Sequence, residues 1–207
     1  MEIDIEKIKN SSELALLLGM FAGDGCLPIS HNGGGYRIYP IRFYNTNKKY
    51  VNLFRDLFYK VFKSRGTIRN RKRKNRLLLL WEFEKYSVFL YKLINEDLEI
   101  VSGKKAKFVG IPSFILGGSE ELKKHFFLGL LITDGGIRKN GTIIFHSASK
   151  RLLLDLKKLM KDVWNIDKEL KSYIQKEKYF SYQLDLNKTE SSNLLHTMPR
   201  SHNLVLR

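Results

Sequence analysis

Apolar positions along the chain follow two rhythms, one helical and one alternating. Between Ser12 and Asp24 they are almost continuous, and Ala15, Gly19 and Gly23 stand four apart. In the stretch from Glu120 to Thr133 a shorter apolar run, Phe126–Ile132, repeats this, with Gly129 and Thr133 at the same spacing. Each stretch reads as a helix unusual for a surface but suited to packing on the other, because small residues at that spacing let two backbones come close. Amphipathic runs predict further helices at 47–63, 87–97, 150–165 and 188–198. Alternation predicts strands, most clearly at 179–185. There Phe180, Tyr182 and Leu184 face one way and Ser181, Gln183 and Asp185 the other. The remaining strands are expected at 26–30, 35–44, 66–73, 76–83, 136–140, 142–147 and 168–176.

The order is helix, two strands, helix, two strands, helix, and then the same again. The expected fold is therefore α+β, a tandem pseudo-twofold αββαββα repeat with two antiparallel sheets. The halves are residues 1–99 and 120–207, and 100–119, with Gly103, Gly110, Pro112, Gly117 and Gly118, reads as their connector.

The repeat is visible in the letters themselves. Leu17-Leu18-Gly19-Met20-Phe21-Ala22-Gly23-Asp24-Gly25 returns as Phe127-Leu128-Gly129-Leu130-Leu131-Ile132-Thr133-Asp134-Gly135. Asn45-Thr46-Asn47-Lys48 returns as Ser147-Ala148-Ser149-Lys150, and both supply residue types that cap helix N-termini. The two echoes are offset by about 110 and about 102 positions, so the first hairpin is the longer, with the extra length expected in the turn-forming stretch 31–35. Gly25 and Gly135 are expected to close their helices in the left-handed conformation.

Composition narrows the partners. The 207 residues include 43% hydrophobic and 12% aromatic side chains, which excludes a disordered chain, and a net charge of +16 favours a polyanion. Neither apolar run is long enough to cross a bilayer, Met1–Asn10 lacks the apolar core of a secretory signal, and the single Cys26 offers neither a disulfide nor a thiolate metal cluster. No membrane partner is expected, and the expectation is an intracellular protein, cytoplasmic or nucleoid-associated, or organellar in a eukaryote.

If the two apolar helices pack side by side, Asp24 and Asp134 meet at one end. Paired carboxylates repel unless a cation lies between them, and a hard divalent ion with oxygen ligands answers that need. In a strongly basic protein this points to phosphodiester hydrolysis. The two nonapeptides resemble the paired motifs of the LAGLIDADG homing endonucleases, and the resemblance runs from about Ser12 to Met198. Two motifs in one chain resemble the monomeric members.

The resemblance implies a site-specific double-strand DNA endonuclease acting on a long asymmetric target with Mg²⁺, or Mn²⁺ in its place. The alternative it leaves open is an RNA maturase, with intron RNA as partner, or a non-cleaving nucleic-acid-binding relative. It implies that Asp24 and Asp134 are the catalytic metal ligands, aided by the carbonyls of Gly23 and Thr133. The sixth motif position, Asp in the family's name, is Ala22 and Ile132 here; Thr133, bulkier than Ala or Gly, is expected to shift the helix packing slightly. His202-Asn203 is followed by Leu204 rather than Cys, Ser or Thr, so a free-standing or intron-encoded enzyme is expected rather than one embedded in a splicing element.

Asn45 and Ser147 would hold the water network at the scissile phosphate, though both read equally as caps or strand ends. Lys105 and Lys107 are candidates for the basic residue of the site; solvated connector lysines are the other reading. The densest basic run, 69–76, places Arg69, Arg71 and Arg73 on one strand face with Arg76 beyond the turn, suited to a ribbon in the major groove or, alternatively, to a charged edge strand. Arg37, Arg42, Arg138 and Lys139 extend this DNA-binding surface, and Lys171, Tyr173, Gln175 and Gln183 form its counterpart in the second half.

Overall fold

The computed structural model describes residues 3–31, 33–71, 79–103, 105–175 and 179–199, and for Lys105, Gln175 and Tyr179 the backbone alone. After a short helix α1 (Ile5–Lys9), the first half runs α2 (Ser12–Asp24), β1 (Gly25–Cys26), β2 (Ser30–His31), β3 (Arg37–Ile38), β4 (Pro40–Asn45), α3 (Lys48–Phe62), β5 (Thr67–Arg71), β6 (Leu80–Tyr86) and α4 (Val88–Lys92). A π-helical turn, Leu93–Asp97, continues α4. After α5 (Ser113–Leu116), the second half runs α6 (Glu120–Thr133), β7 (Gly135–Ile137), β8 (Ile143–Ser147), α7 (Lys150–Trp164), β9 (Lys171–Gln175), β10 (Tyr179–Asp185) and α8 (Lys188–His196).

The sheets are antiparallel and share one topology, β1-β4-β6-β5 and β7-β8-β10-β9. Each backs onto a helix whose apolar stripe forms the core of that half. Against the first sheet α3 buries Val51, Phe54, Leu57, Phe58 and Phe62, and Phe54 stacks on Phe43 with ring centres 4.2 Å apart. Against the second sheet α7 buries Leu152, Leu153, Leu156, Leu159 and Met160. Capping side chains set the helix starts. Ser11 accepts from the Leu14 N–H, Asn47 from Lys49, Ser119 from Leu122 and Ser149 from Leu152.

The halves join through α2 and α6, both buried along most of their length. A Cβ added to Gly19 would overlap the Phe126 carbonyl, and one added to Gly129 would overlap that of Leu16. Hydrogen in place of a side chain is what lets these two backbones touch.

Three expectations change. The first hairpin is interrupted: β1 pairs only with Arg42 and Phe43, while β2 and β3 form a separate two-stranded ribbon at the extra length. Pro28, with no N–H to give a ladder, lies in the gap. Gly25 is extended (φ −83°, ψ 162°), and Gly135 is not among the positive-φ glycines, so neither closes its helix in the left-handed conformation. Space requires them instead, because a Cβ on Gly25 would strike the Phe21 ring and one on Gly135 would strike Leu131. The connector also contains structure, a 3-10 turn at Lys105–Lys107 and then α5. It is pinned to α7, where the buried Ser149 hydroxyl donates to the Val109 carbonyl at 2.6 Å and the Ile111 N–H donates to Asp155 at 3.0 Å.

Candidate active site and nucleic-acid interface

Asp24 is the last residue of α2 and Asp134 caps the C-terminus of α6. The close approach of the two helices brings their ends together. A Cβ on Gly23 would stand 3.2 Å from the Asp134 carboxyl carbon and would overlap Thr133, so the second motif's terminal residues press directly on the residue before Asp24. The Thr133 hydroxyl turns back to donate to the carbonyls of Gly129 (3.1 Å) and Leu130 (3.2 Å), and the bare Gly23 faces its side chain.

Carboxylates at helix C-termini face the negative end of the helix dipole, an unfavourable place for an acid. Two such acids and two such termini converge here, in a chain of charge +16. The two carboxylates and, beside them, the terminal carbonyls of Gly23 and Thr133 are oxygen donors, which suits a hard divalent cation, although the Cys26 thiol lines the same cleft. Among the described residues no group of three or more His, Cys, Asp or Glu side chains gathers as a metal site, so a cation here would complete its shell from carbonyls, water or phosphate.

Asn45, at the end of β4, donates from Nδ2 to Asp24 Oδ2 at 2.6 Å, while its Oδ1 accepts from the Asn47 N–H at 2.7 Å. One side chain thus both braces the turn that leads into the Asn47 cap of α3 and orients the acid. Ser147, its counterpart, makes the matching turn bond, accepting from the Ser149 N–H at 3.0 Å. An open cleft lined by Gly23, Asp24, Cys26, Tyr44, Asn45 and Thr133 surrounds the first acid. Lys107 is exposed and makes no ion pair among the described residues; the Lys105 side chain lies outside them.

The face of the first sheet away from α3 carries Arg42, Arg69 and Arg71, as the alternation implies. Two acids that sequence reasoning passed over share it: Glu82 and Glu84, 0% and 4% exposed. Arg42 Nε meets Glu84 at 2.7 Å and Glu82 at 3.4 Å, Arg69 meets Glu82 through Nε (3.0 Å) and Glu84 through Nη2 (2.5 Å), and Arg71 Nε meets Glu82 at 2.5 Å. Beside them, burial and then the Glu82 carboxylate push the Tyr44 phenol up to about 12.

On the second sheet Asp185 gathers Lys171 (2.9 Å), Arg138 (3.8 Å) and the Gln183 amide (2.7 Å). Gln183, expected as a polar reader, is thus buried and its amide is engaged. Arg37 lies exposed on β3, Lys139 in the turn after β7, and Tyr173 on β9. Arg73, Arg76 and the Gln175 side chain lie outside the described residues.

A single chain in which two αββαββα halves meet along glycine-bearing helices, each ending in an acid at the seam, defines a class: the two-motif, pseudo-twofold LAGLIDADG architecture. The chain belongs to the LAGLIDADG-like domain family, which matches residues 11–107 and 121–195. Among solved structures it is similar to variants of the homing endonuclease I-DmoI (18% identity, TM-score 0.69, covering 94% of this chain and 98% of that one). I-DmoI in complex with DNA and Mn aligns equally well (17%, TM-score 0.69, 94% and 99%). The N-terminal LAGLIDADG domain of DUF199/WhiA shares the fold more loosely (16%, TM-score 0.57, 98% and 93%). No curated protein matches the sequence at a significant level. Among the described residues no helix is long and apolar enough to cross a membrane.

Proposed function

We propose that the protein is a site-specific double-strand DNA endonuclease that acts as a monomer with Mg²⁺ or a similar divalent cation. The observation that carries this reading is the placement of Asp24 and Asp134 at abutting helix ends, between two sheets whose outer faces carry arginine and lysine. An acid at a helix C-terminus costs stability, so keeping two at one spot makes sense where charge is needed there. The solved structure of I-DmoI with DNA and Mn has the same fold.

A bound divalent cation supplies an activated water and charge neutralisation at the phosphate. The chain's own residues do the rest. Asp24 and Asp134 each serve one strand as oxygen ligands, with the Gly23 and Thr133 carbonyls beside them. Asn45 fixes the Asp24 carboxylate through its 2.6 Å bond, and the two sheets hold the duplex so that each acid faces a different strand.

The test is cleavage of a plasmid library with long randomised inserts, in Mg²⁺. The wild-type protein is expected to yield linear product enriched for one long sequence. Asp24→Ala or Asp134→Ala is expected to abolish double-strand cleavage while the protein still binds that sequence. Unimpaired double-strand cutting by either variant overturns the assignment. Binding and enrichment without any linear product from the wild-type protein would instead identify a non-cleaving binder.

A further inference from the structure

The first sheet's outer face combines two features opposed in their effect on charge. It presents three arginines toward the region where DNA would lie, yet beneath them it buries two carboxylates, each cancelling a unit of the charge that attracts phosphate. Burying carboxylates carries a desolvation cost, and buried ion pairs are a poor way to gain stability. Geometry explains the arrangement better than charge does. All three guanidinium groups meet the acids through Nε; Arg69 also gives Nη2 to Glu84, and Arg42 has a further hydrogen bond to Tyr86. A guanidinium held by its Nε edge points its Nη pair away from the anchor, and that pair is the fork that matches O6 and N7 of guanine in the major groove. Register places the anchors directly under the readers, with Arg42 opposite Glu84 and Arg69 opposite Glu82.

We infer that Glu82 and Glu84 are specificity-determining positioning residues that hold Arg42, Arg69 and Arg71 as preoriented guanine-reading forks. This rests on the DNA-binding reading above. An unanchored arginine on a strand swings among rotamers and settles on the nearest phosphate, which positions a protein without reading sequence. An anchored one has already lost that freedom, so the ordering cost of base recognition is met by the fold. The acids therefore trade general attraction for discrimination.

The experiment is selection from a randomised duplex DNA library, without added divalent ion, by the full-length wild-type protein and by Glu82→Gln, Glu84→Gln and Arg69→Lys. Binding to unselected duplex is followed across salt concentrations, and each variant's thermal unfolding is recorded. The wild-type protein is expected to enrich guanines within one half of its site. Glu82→Gln and Glu84→Gln should lose roughly 5- to 100-fold of that preference, while binding unselected duplex more tightly and with a steeper salt dependence, because freed arginines reach phosphates. Arg69→Lys, which keeps the charge but has no fork, should lose guanine at a single column. Glutamine variants that enrich the same guanines overturn the inference. So do variants that unfold earlier and lose selected and unselected DNA in equal measure, since that pattern marks a purely structural role. If the wild-type protein binds no duplex, the DNA-binding reading fails and the inference with it, an outcome recognised by blank results in every arm.

Discussion

The two sheets are copies in topology and strangers in chemistry. Register makes the correspondence exact enough to compare residue by residue: Phe43 faces Phe83 in the first sheet as Phe145 faces Leu184 in the second. Counting from those pairs, Glu82 corresponds to Gln183, Glu84 to Asp185, Arg69 to Lys171 and Arg42 to Ile144. Core-facing positions stay apolar in both halves, because each must fill the space under one helix. The outward positions differ almost everywhere, with two buried acids under three arginines on one side and a single acid shared by Lys171, Arg138 and Gln183 on the other. A scaffold that holds its core chemistry fixed while its outer faces diverge is suited to reading two unlike half-sites with one chain. The lesson is that pseudosymmetry here belongs to the packing and not to the recognition surface.

The largest effect is expected where the halves are most alike, at the seam. Gly19→Val or Gly129→Val would force apart backbones already in contact, because the added carbons meet the Phe126 or Leu16 carbonyl rather than a side chain that could turn away. Each is expected to lower the unfolding free energy by about 3 kcal/mol or more. Gly33→Val, in open space on the extra hairpin, should stay within about 0.5 kcal/mol of wild type. Urea denaturation decides it, and comparable midpoints for Gly19→Val and Gly33→Val would mean that the seam is not the joint described.

A second difference between the halves lies at the helix starts. Asn47 caps α3 in the open and Ser149 caps α7 in full burial, with its hydroxyl also holding the Val109 carbonyl of the connector. Asn47→Ala should cost about 1 kcal/mol, the worth of an exposed cap. Ser149→Ala should cost about 2–3 kcal/mol, because it also leaves a buried carbonyl without its donor. Equal losses of thermal stability would show that the connector bond contributes nothing.

Much of this was legible in the letters, for identifiable reasons. The motif helices announce themselves by the apolar runs Leu14–Gly23 and Phe126–Ile132 and by small residues four apart, and the structure places them at Ser12–Asp24 and Glu120–Thr133. A glycine after a helix signals a left-handed cap locally, but at Gly25 the constraint is the Phe21 ring. For Glu82 and Glu84 the letters hold half of the answer. The alternation Trp81-Glu82-Phe83-Glu84 already turned both acids to one face, but strand register, which periodicity does not supply, is what puts Arg69 and Arg42 over them. The contact of Asn45 with Asp24 likewise joins residues 21 positions apart, and only the pairing of β1 with β4 closes that distance.

The smallest expected effect separates the two acid clusters by pH. Burial alone would raise the Glu84 pKa, but hydrogen bonds from Tyr86 and Arg42 and the charges of Arg42 and Arg69 outweigh it and hold the carboxyl below its ordinary range. Asp185 is likewise pushed up by burial and then held down by hydrogen bonds from Lys171 and Gln183 and by the Lys171 and Arg138 charges. A carboxyl depressed in the folded state binds fewer protons there than in the unfolded chain. Its stabilisation is therefore complete above the ordinary carboxylate pKa of about 4 and is lost as pH falls through the lower folded value. Glu84→Gln and Asp185→Asn should each flatten the fall in urea midpoint between about pH 5 and pH 3. The Glu84 side chain, 3% exposed, lies in a drier setting than that of Asp185, 24% exposed. Its variant should flatten the limb more, and added salt should erase more of the Asp185 contribution than of the Glu84 one, since screening reaches exposed charges first. Equal salt sensitivity would mean that the two clusters are solvated alike and that the contrast between the sheets is one of sequence only.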